Sequence, residues 1–348
     1  MKLSVLITSY RRPDWLKRCF DGLVHQIRLP DQVVIVVRDT DADTRACAAQ
    51  LAEQPAAEFP VDVVTVTEPG VVAANNAGLP LVTGDVVSFI DDDAVAPPDW
   101  LERIESYFKA DPSVGAVGGR DVLYKEGKLV AGHAEVVGTI TWYGKIVGNH
   151  HLRSDGARYV DHLKGVNMSL RTALIEGCDP ALGGDGYSYE LELCLAVRDR
   201  GYRILYDNTL TVEHRHAPRF VGGSRNWREP ERIYWKYRNF LHVGVKRLHG
   251  MRLAAFLAWH FGPHLLWQGV YSVRYRDLGL LHTVRGMCRG LCSGVRARAD
   301  LRAAAAPEPR EDTSGRTPAA VARAKKADGT VREATVGRLI SRLDNRRS

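Results

Sequence analysis

The sequence predicts an α/β fold built on a mostly parallel sheet with helices on both faces. Three observations carry that expectation. Residues 3–90 alternate strand-like and helix-like segments in the order β-α-β-α-β-α-β. The strand-like runs are apolar throughout rather than alternating, as strands covered on both faces must be. The runs end in polar clusters, Thr8 to Arg12, Asp39, and Asp91-Asp92-Asp93. In open sheets of this class ligands bind beyond the carboxyl ends of the strands.

Along the chain, Leu3 to Thr8 reads as a buried strand, and Asp14 to Gln26 places Trp15, Cys19, Leu23 and Gln26 near one helical face. Gln32 to Val37 is a β-branched strand, Thr44 to Glu53 a helix, and Val61 to Thr67 a third strand. Gly70 to Leu81 is a loop feeding a short Ala/Asn-rich helix, and Asp85 to Ile90 is the fourth strand. Trp100 to Lys109 is a helix behind Pro97-Pro98-Asp99, and Val114 to Gly119 a glycine-rich strand. Residues 120–165 hold hairpin-like pieces. Tyr189 to Arg200 is a helix closed by Gly201, with Arg198 and Arg200 where the helix dipole favours cations. Tyr202 to Tyr206 and Thr209 to Val212 are two further strands. There is no internal repeat.

The chain has 348 residues, 45% hydrophobic and 26% charged, the balance of a globular enzyme rather than a disordered or polytopic membrane chain. Six scattered cysteines without a CxxC pair argue against a disulfide scaffold and a cysteine zinc site. The apolar start, Leu3 to Thr8, is too short for a signal-peptide core. A reduced, cytoplasmic setting is therefore expected. The net charge of +7 suggests nucleic acid until it is mapped: +6 falls in residues 295–348. That segment has no aromatic residue and too little apolar surface to offset its ordering entropy. It is expected to be a disordered basic tail, with one short helix over Val336 to Leu343 and no nucleic-acid partner.

Residues 231–294 form a distinct aromatic and basic helical region. Leu253 to Val273 is 21 residues without Asp, Glu, Lys or Arg, long enough to span a bilayer. Gly262-Pro263 at its centre argues instead for a broken amphipathic pair at a membrane surface. A helical layer packed on the protein's own core fits the same pattern. The expected organisation is a catalytic domain at 1–230, this region at 231–294, and the tail at 295–348.

Three consecutive carboxylates after a strand repel one another unless a cation or hydrogen bonds offset them. Hard oxygen ligands at that place suit Mg²⁺ or Mn²⁺ bound together with phosphates. Helix capping does not explain them, because Asp99 already fills that position before Trp100.

At these residues the sequence resembles a known family. The motifs are Val5-Leu-Ile-Thr-Ser-Tyr-Arg11, the strand ending at Asp39, Ala73-Ala-Asn-Asn-Ala-Gly78 and Phe89-Ile-Asp-Asp-Asp-Ala-Val-Ala-Pro-Pro-Asp-Trp-Leu101. Further on come Gly165-Val-Asn-Met-Ser-Leu-Arg171, Glu190-Leu-Glu-Leu-Cys-Leu195 with Arg-Gly-Tyr-Arg203, and Val212-Glu-His214. Together they resemble family 2 glycosyltransferases of the GT-A fold, over residues 1 to about 220. The resemblance implies inverting transfer of a sugar from a nucleoside-diphosphate donor to a hydroxyl acceptor, a glycan or a lipid-linked one. It implies that Thr8, Tyr10 and Asp39 hold the base and that Asn76 lines the nucleotide pocket. Asp91 and Asp92 would meet the ribose or support the ion, and Asp93 would ligate Mg²⁺ or Mn²⁺. His214 would be a second metal or phosphate contact, and His216 and Arg219 diphosphate contacts. An inverting reaction needs one protein base. Glu190 is the candidate, at a helix start where the dipole favours an ionised carboxylate. Its rivals are Asp185 and Glu192, the latter about 200° around the helix.

Many relatives carry Glu-Asp where this chain has Tyr189-Glu190. That departure motivates an alternative, a catalytically silent, membrane-associated nucleotide-sugar-binding module. A nucleotidyltransferase would need a glycine-rich phosphate loop after the first strand. This chain has Thr8-Ser-Tyr-Arg-Arg-Pro13 there. A nicotinamide dehydrogenase would need GxGxxG at the same place. An active enzyme with a lipid-linked acceptor would work peripherally, at the inner face of the membrane.

Overall fold

The computed structural model describes residues 1–54, 58–184, 186–217 and 229–304. Asp185, Arg219 and the stretch from Val336 to Leu343 lie outside the described residues. Met1–Leu301 form one compact unit, and of the second, Arg302–Ser348, only the first three residues are described.

Strands β1 (Leu3–Ser9), β2 (Gln32–Arg38), β3 (Val61–Val66) and β4 (Val86–Asp91) alternate with helices α1 (Pro13–Val24), α2 (Ala42–Ala52) and α3 (Val71–Gly78). Then come β5 (Ala94–Val95), α4 (Trp100–Ala110) and β6 (Val114–Lys125). The short strands β7 (Lys128–Leu129), β8 (Thr139–Ile140), β9 (Ile146–Val147) and β10 (Ala157–Val160) supply the expected hairpin pieces. Last are β11 (Met168–Arg171), α5 (Tyr189–Asp199), β12 (Arg203–Arg215), α6 (Pro230–Arg247), α7 (Gly250–Trp259), α8 (Leu265–Tyr275) and α9 (Gly279–Ala304).

Among the described residues one sheet runs β10-β12-β6-β11-β4-β1-β2-β3. The pairs β1–β2, β1–β4, β2–β3 and β6–β12 are parallel, whereas β11 is antiparallel to both β4 and β6. Alternate residues feed two cores. Leu3, Val5 and Ile7 pack with α1, α2 and α4 through Leu16, Phe20, Leu51, Trp100 and Phe108. Leu6, Val34, Val36 and Phe89 pack on the other face with Val72 of α3, Leu191 and Leu195 of α5, and Tyr237 and Leu241 of α6. Each such side chain contributes about 1.5–3 kcal/mol by leaving water. Burial on both faces is why these strands lack alternation.

Two expectations change. The strands expected at 202–206 and 209–212 are one strand, β12, whose register shifts between Asp207 and Thr211. A bulge keeps pairing while re-aiming the residues beyond it, and His214 is one of those. Helix α9 also runs to Ala304, through the first ten residues assigned to the tail. It packs closely on α6: a Cβ at Gly286, Gly290 or Gly294 would run into the backbone at Tyr234, Arg238 or His242. Three glycines four residues apart thus make one flat helix face, which lets α9 lie close against α6.

Candidate functional site

The site begins where β1 and β4 end side by side, Thr8 paired in register with Asp91. Asp93 reaches across to β12. Its Oδ1 lies 3.1 Å from His214 Nε2, and its Oδ2 accepts the Ala217 N–H at 2.8 Å. His214 Nδ1 lies 2.9 Å from Asp121 Oδ1, on β6, and Lys164 Nζ binds the other Asp121 oxygen. Asp92 turns the opposite way, accepting from Ser9 Oγ at 2.7 Å and from Arg12 Nη1 at 2.7 Å.

These positions set the electrostatics. Burial raises Asp91, and neighbouring Asp93 adds to it. Burial pushes Asp92 up to about 7, although Arg12 opposes the shift. Burial also works on Asp93, but the hydrogen bond and charge of His214 outweigh it and leave Asp93 below its ordinary value. Asp121 is fully buried and still held well below the usual range by His214 and Lys164. For His214 burial works against the charged ring, yet its bonds to Asp121 and Asp93 raise it to about 9.

Asp91, Asp93 and His214 each offer one ligand atom, all within 4.8 Å of one another. Two carboxylates and one imidazole fit a hard or borderline divalent cation. Asp121 behind His214 is the carboxylate that typically orients a metal-binding histidine. The Asp-Asp-His set brings together Asp93 and His214, the two residues expected at a metal, and adds Asp91. Asp92 is instead engaged with β1 and Arg12.

Beside the cluster lies a cavity of about 770 Å³. Thr8, Tyr10, Arg12, Val36 and Arg38 line it from the ends of β1 and β2. Asp92 marks where it meets the carboxylates, and Gly184, Tyr187, Arg232 and Trp235 also line it. Thr8 and Tyr10 line the cavity, with the guanidiniums of Arg11 and Arg38 over the Tyr10 ring at 5.3 and 5.9 Å. Asp39 and Asn76 are not among the lining residues. The Asp39 carboxylate accepts from its neighbour Thr40 N–H at 2.8 Å. Asn76 spends both ends of its amide on the Cys178 backbone, at 2.7 and 2.8 Å. It ties α3 to the chain ahead of α5, a supporting role in place of the expected pocket contact.

Glu190 stands in the first turn of α5, with its side chain against the Gly165 backbone. A Cβ at Gly165 would run into the Tyr189 hydroxyl and press on Glu190 Cγ. The helix start predicts an easily ionised carboxylate, but desolvation outweighs it and pushes Glu190 up to about 7. Its rival Glu192 is buried and bound to Lys246 at 2.8 Å and to Arg247 at 2.5 Å, on α6. His216 packs edge-on against His214, ring centroids 4.8 Å apart.

Sequence reasoning placed Arg12 in the cluster past β1 without giving it a role, and missed Asp121, Lys164, Tyr187, Arg232 and Trp235 as site residues. Arg12 was within reach, because a cation just past β1 faces the carboxylates past β4. The others reach the site only through tertiary contacts.

Known proteins share both the sequence pattern and the fold. Residues 4–170 match the family model described as glycosyl transferase family 2. An uncharacterized glycosyltransferase of Nostoc sp. is 31% identical over 130 residues, 37% of this chain and 40% of that protein. The glucosyl-dolichyl phosphate glucuronosyltransferase of Haloferax volcanii is 25% identical over 229 residues, 62% of this chain and 69% of that one. Among solved structures, the fold is similar to a Pyrobaculum calidifontis mannosyltransferase in complex with GDP-Man and Mn²⁺. The TM-score is 0.52 at 15% identity, covering 86% of this chain and 87% of that one. It is equally similar to S. aureus TarS 1–349 in complex with UDP-GlcNAc, with TM-score 0.53 at 13% identity, covering 91% and 95%. The sheet and its flanking helices are therefore of the GT-A type.

Proposed function

Residues 4–170 match the model of glycosyl transferase family 2, and on that likeness we propose that the protein transfers a sugar, with inversion, from a nucleoside-diphosphate donor to a hydroxyl acceptor. The observation that carries the reading is the Asp91–Asp93–His214 set beside a cavity of about 770 Å³ that opens over the ends of β1 and β2.

Thr8 and Tyr10 border the space for the base, and Arg12 and Asp92 stand between it and the carboxylates. Asp91, Asp93 and His214 would hold Mg²⁺ or Mn²⁺, which supplies positive charge against the charge building on the diphosphate. The Glu190 carboxylate accepts the acceptor's hydroxyl proton. The freed oxygen pair attacks the anomeric carbon, and the electrons of the breaking C–O bond leave with the diphosphate. A base near 7 is matched to such a transfer at neutral pH. The name of the Haloferax relative includes a dolichyl phosphate, which supports a lipid-linked acceptor here.

The test is thermal unfolding with UDP, GDP, dTDP and CDP, each with Mn²⁺, with Mg²⁺ and with chelator. Ligand at a hundred times its dissociation constant stabilises by about 2.7 kcal/mol, a midpoint shift of several degrees. The expected result is a shift with one nucleotide that chelator abolishes. No shift with any nucleotide and either ion overturns the proposal. Binding without turnover on any acceptor points to the silent module.

A further inference from the structure

Helix α8 carries an apolar stripe that the fold leaves uncovered. Val273, Leu266, Val270 and Trp267 are 79%, 73%, 69% and 55% exposed. At 100° per residue they share an arc of about 120°, and Arg274 falls in the same arc. The stripe continues past the turn to Leu278 and Leu281, both well exposed. The opposite side of α8 is occupied: Gln268 Nε2 donates to the Tyr237 hydroxyl of α6 at 2.7 Å, and His264 lies 2.9 Å from the same oxygen. Adjacent exposed large apolar side chains on one helix mark an interaction surface rather than scattered exposure.

The surrounding charge says what that surface meets. Residues 251–289 contain five arginines and one acidic residue, Asp277. Arg274, Arg276, Arg285 and Arg289 are all exposed. Aromatic rings stand among them, Trp267 against Tyr271 and Tyr271 against Tyr275 at 5.1 and 4.4 Å between centroids. Apolar side chains for the acyl boundary, rings for the interface and cations for acidic headgroups are the parts of a helix lying in a membrane surface. Crossing is excluded by length: α8 has 11 residues, and no described helix is long and apolar enough to span. The chain breaks between α7 and α8 at Gly262, with φ −104° and ψ −108°, next to Pro263. The 21-residue apolar run is therefore two short helices.

We propose that the α8 stripe, continued at Leu278 and Leu281, docks on an anionic lipid surface. Helix α6 links this surface to the cavity, because Tyr237 lies under α8 while Arg232 and Trp235 line the cavity. Docking therefore brings lipid to the helix that forms one cavity wall. The inference rests on exposed side chains alone and stands whether or not the donor reading does.

The experiment is flotation of the full chain with vesicles of phosphatidylcholine alone and with phosphatidylglycerol added. Leu266→Glu/Val270→Glu is compared with the natural chain, and light scattering gives the size of both without vesicles. The expected result is partition onto anionic vesicles that falls about tenfold or more in the variant, at an unchanged unfolding midpoint. Equal partition of variant and natural chain, lost in high salt, overturns the proposal in favour of the basic residues beyond 304. A natural chain that is dimeric, with a monomeric variant and no partition by either, overturns it in favour of self-association. A changed midpoint in the double variant shifts the same comparison to Val273→Ser, on the most exposed residue of the stripe.

Discussion

Asp121 and His214 lie 2.9 Å apart, carboxylate to Nδ1, and that contact turns the other ring nitrogen toward Asp93 at 3.1 Å. One residue in β6 thus orients a histidine on β12 toward the carboxylates after β4. Asp121→Asn keeps the shape and loses the charge. Loss of such a partner typically costs 10- to 100-fold in metal affinity. Titration of Mn²⁺ by calorimetry should show that weakening, with nucleotide binding in chelator unchanged. Equal Mn²⁺ affinity would place the ion elsewhere.

The Glu190 carboxylate has a separate signature. Its value near 7 comes from burial, so the proton must leave before it can serve as a base. Turnover should rise through pH 7 toward a plateau on the alkaline side. Glu190→Gln should retain donor binding and lose transfer by 10²-fold or more, the usual scale for a positioned base. A variant that turns over normally would remove Glu190 from the mechanism.

Packing of α9 on α6 is tested at Gly290, whose absent Cβ leaves room for the Arg238 backbone. Gly290→Ala improves helix propensity by about 1 kcal/mol, yet it forces two backbones apart. Overpacking of this kind costs about 1–3 kcal/mol. The unfolding midpoint should fall. A rise would mean that α9 detaches without penalty.

Burial holds His150 neutral, with its value pushed down to about 3. Nε2 lies 3.0 Å from the His162 carbonyl. The unfolded chain takes up a proton near pH 6.5, whereas the folded one does not until about 3. Stability is therefore lost as pH falls through that window. In His150→Gln, denaturant midpoints between pH 7 and 4.5 should decline less steeply than in the natural chain. Parallel declines would assign the acid sensitivity to other groups.

Strand placement was legible because burial on both faces leaves a run such as Val33-Val-Ile-Val-Val37 no polar position. The carboxylate cluster was legible because three adjacent charges need an explanation wherever they stand. Asp121 was not, since a single aspartate in a strand looks the same whether it faces solvent or a buried histidine. Asn76 misled for a related reason: an amide suits a nucleotide and a backbone equally, and only the approach of Cys178 decides. The Gly286, Gly290, Gly294 spacing was visible, but flat helix faces gain meaning only from the helix laid against them.

Helix α6 presents Arg232 and Trp235 to the cavity, Tyr237 to α8, and the backbone from Tyr234 to His242 to α9. A single stretch of about five turns thereby answers to three selective pressures at once. On the proposed function and docking, substitutions that retune donor choice from this side also disturb how the protein is seated and how its last helix is held. On the same reading, variation in the donor should accumulate first on the β1 and β2 side, at Tyr10 and Arg38. Redesign of the donor pocket is accordingly freer from that side.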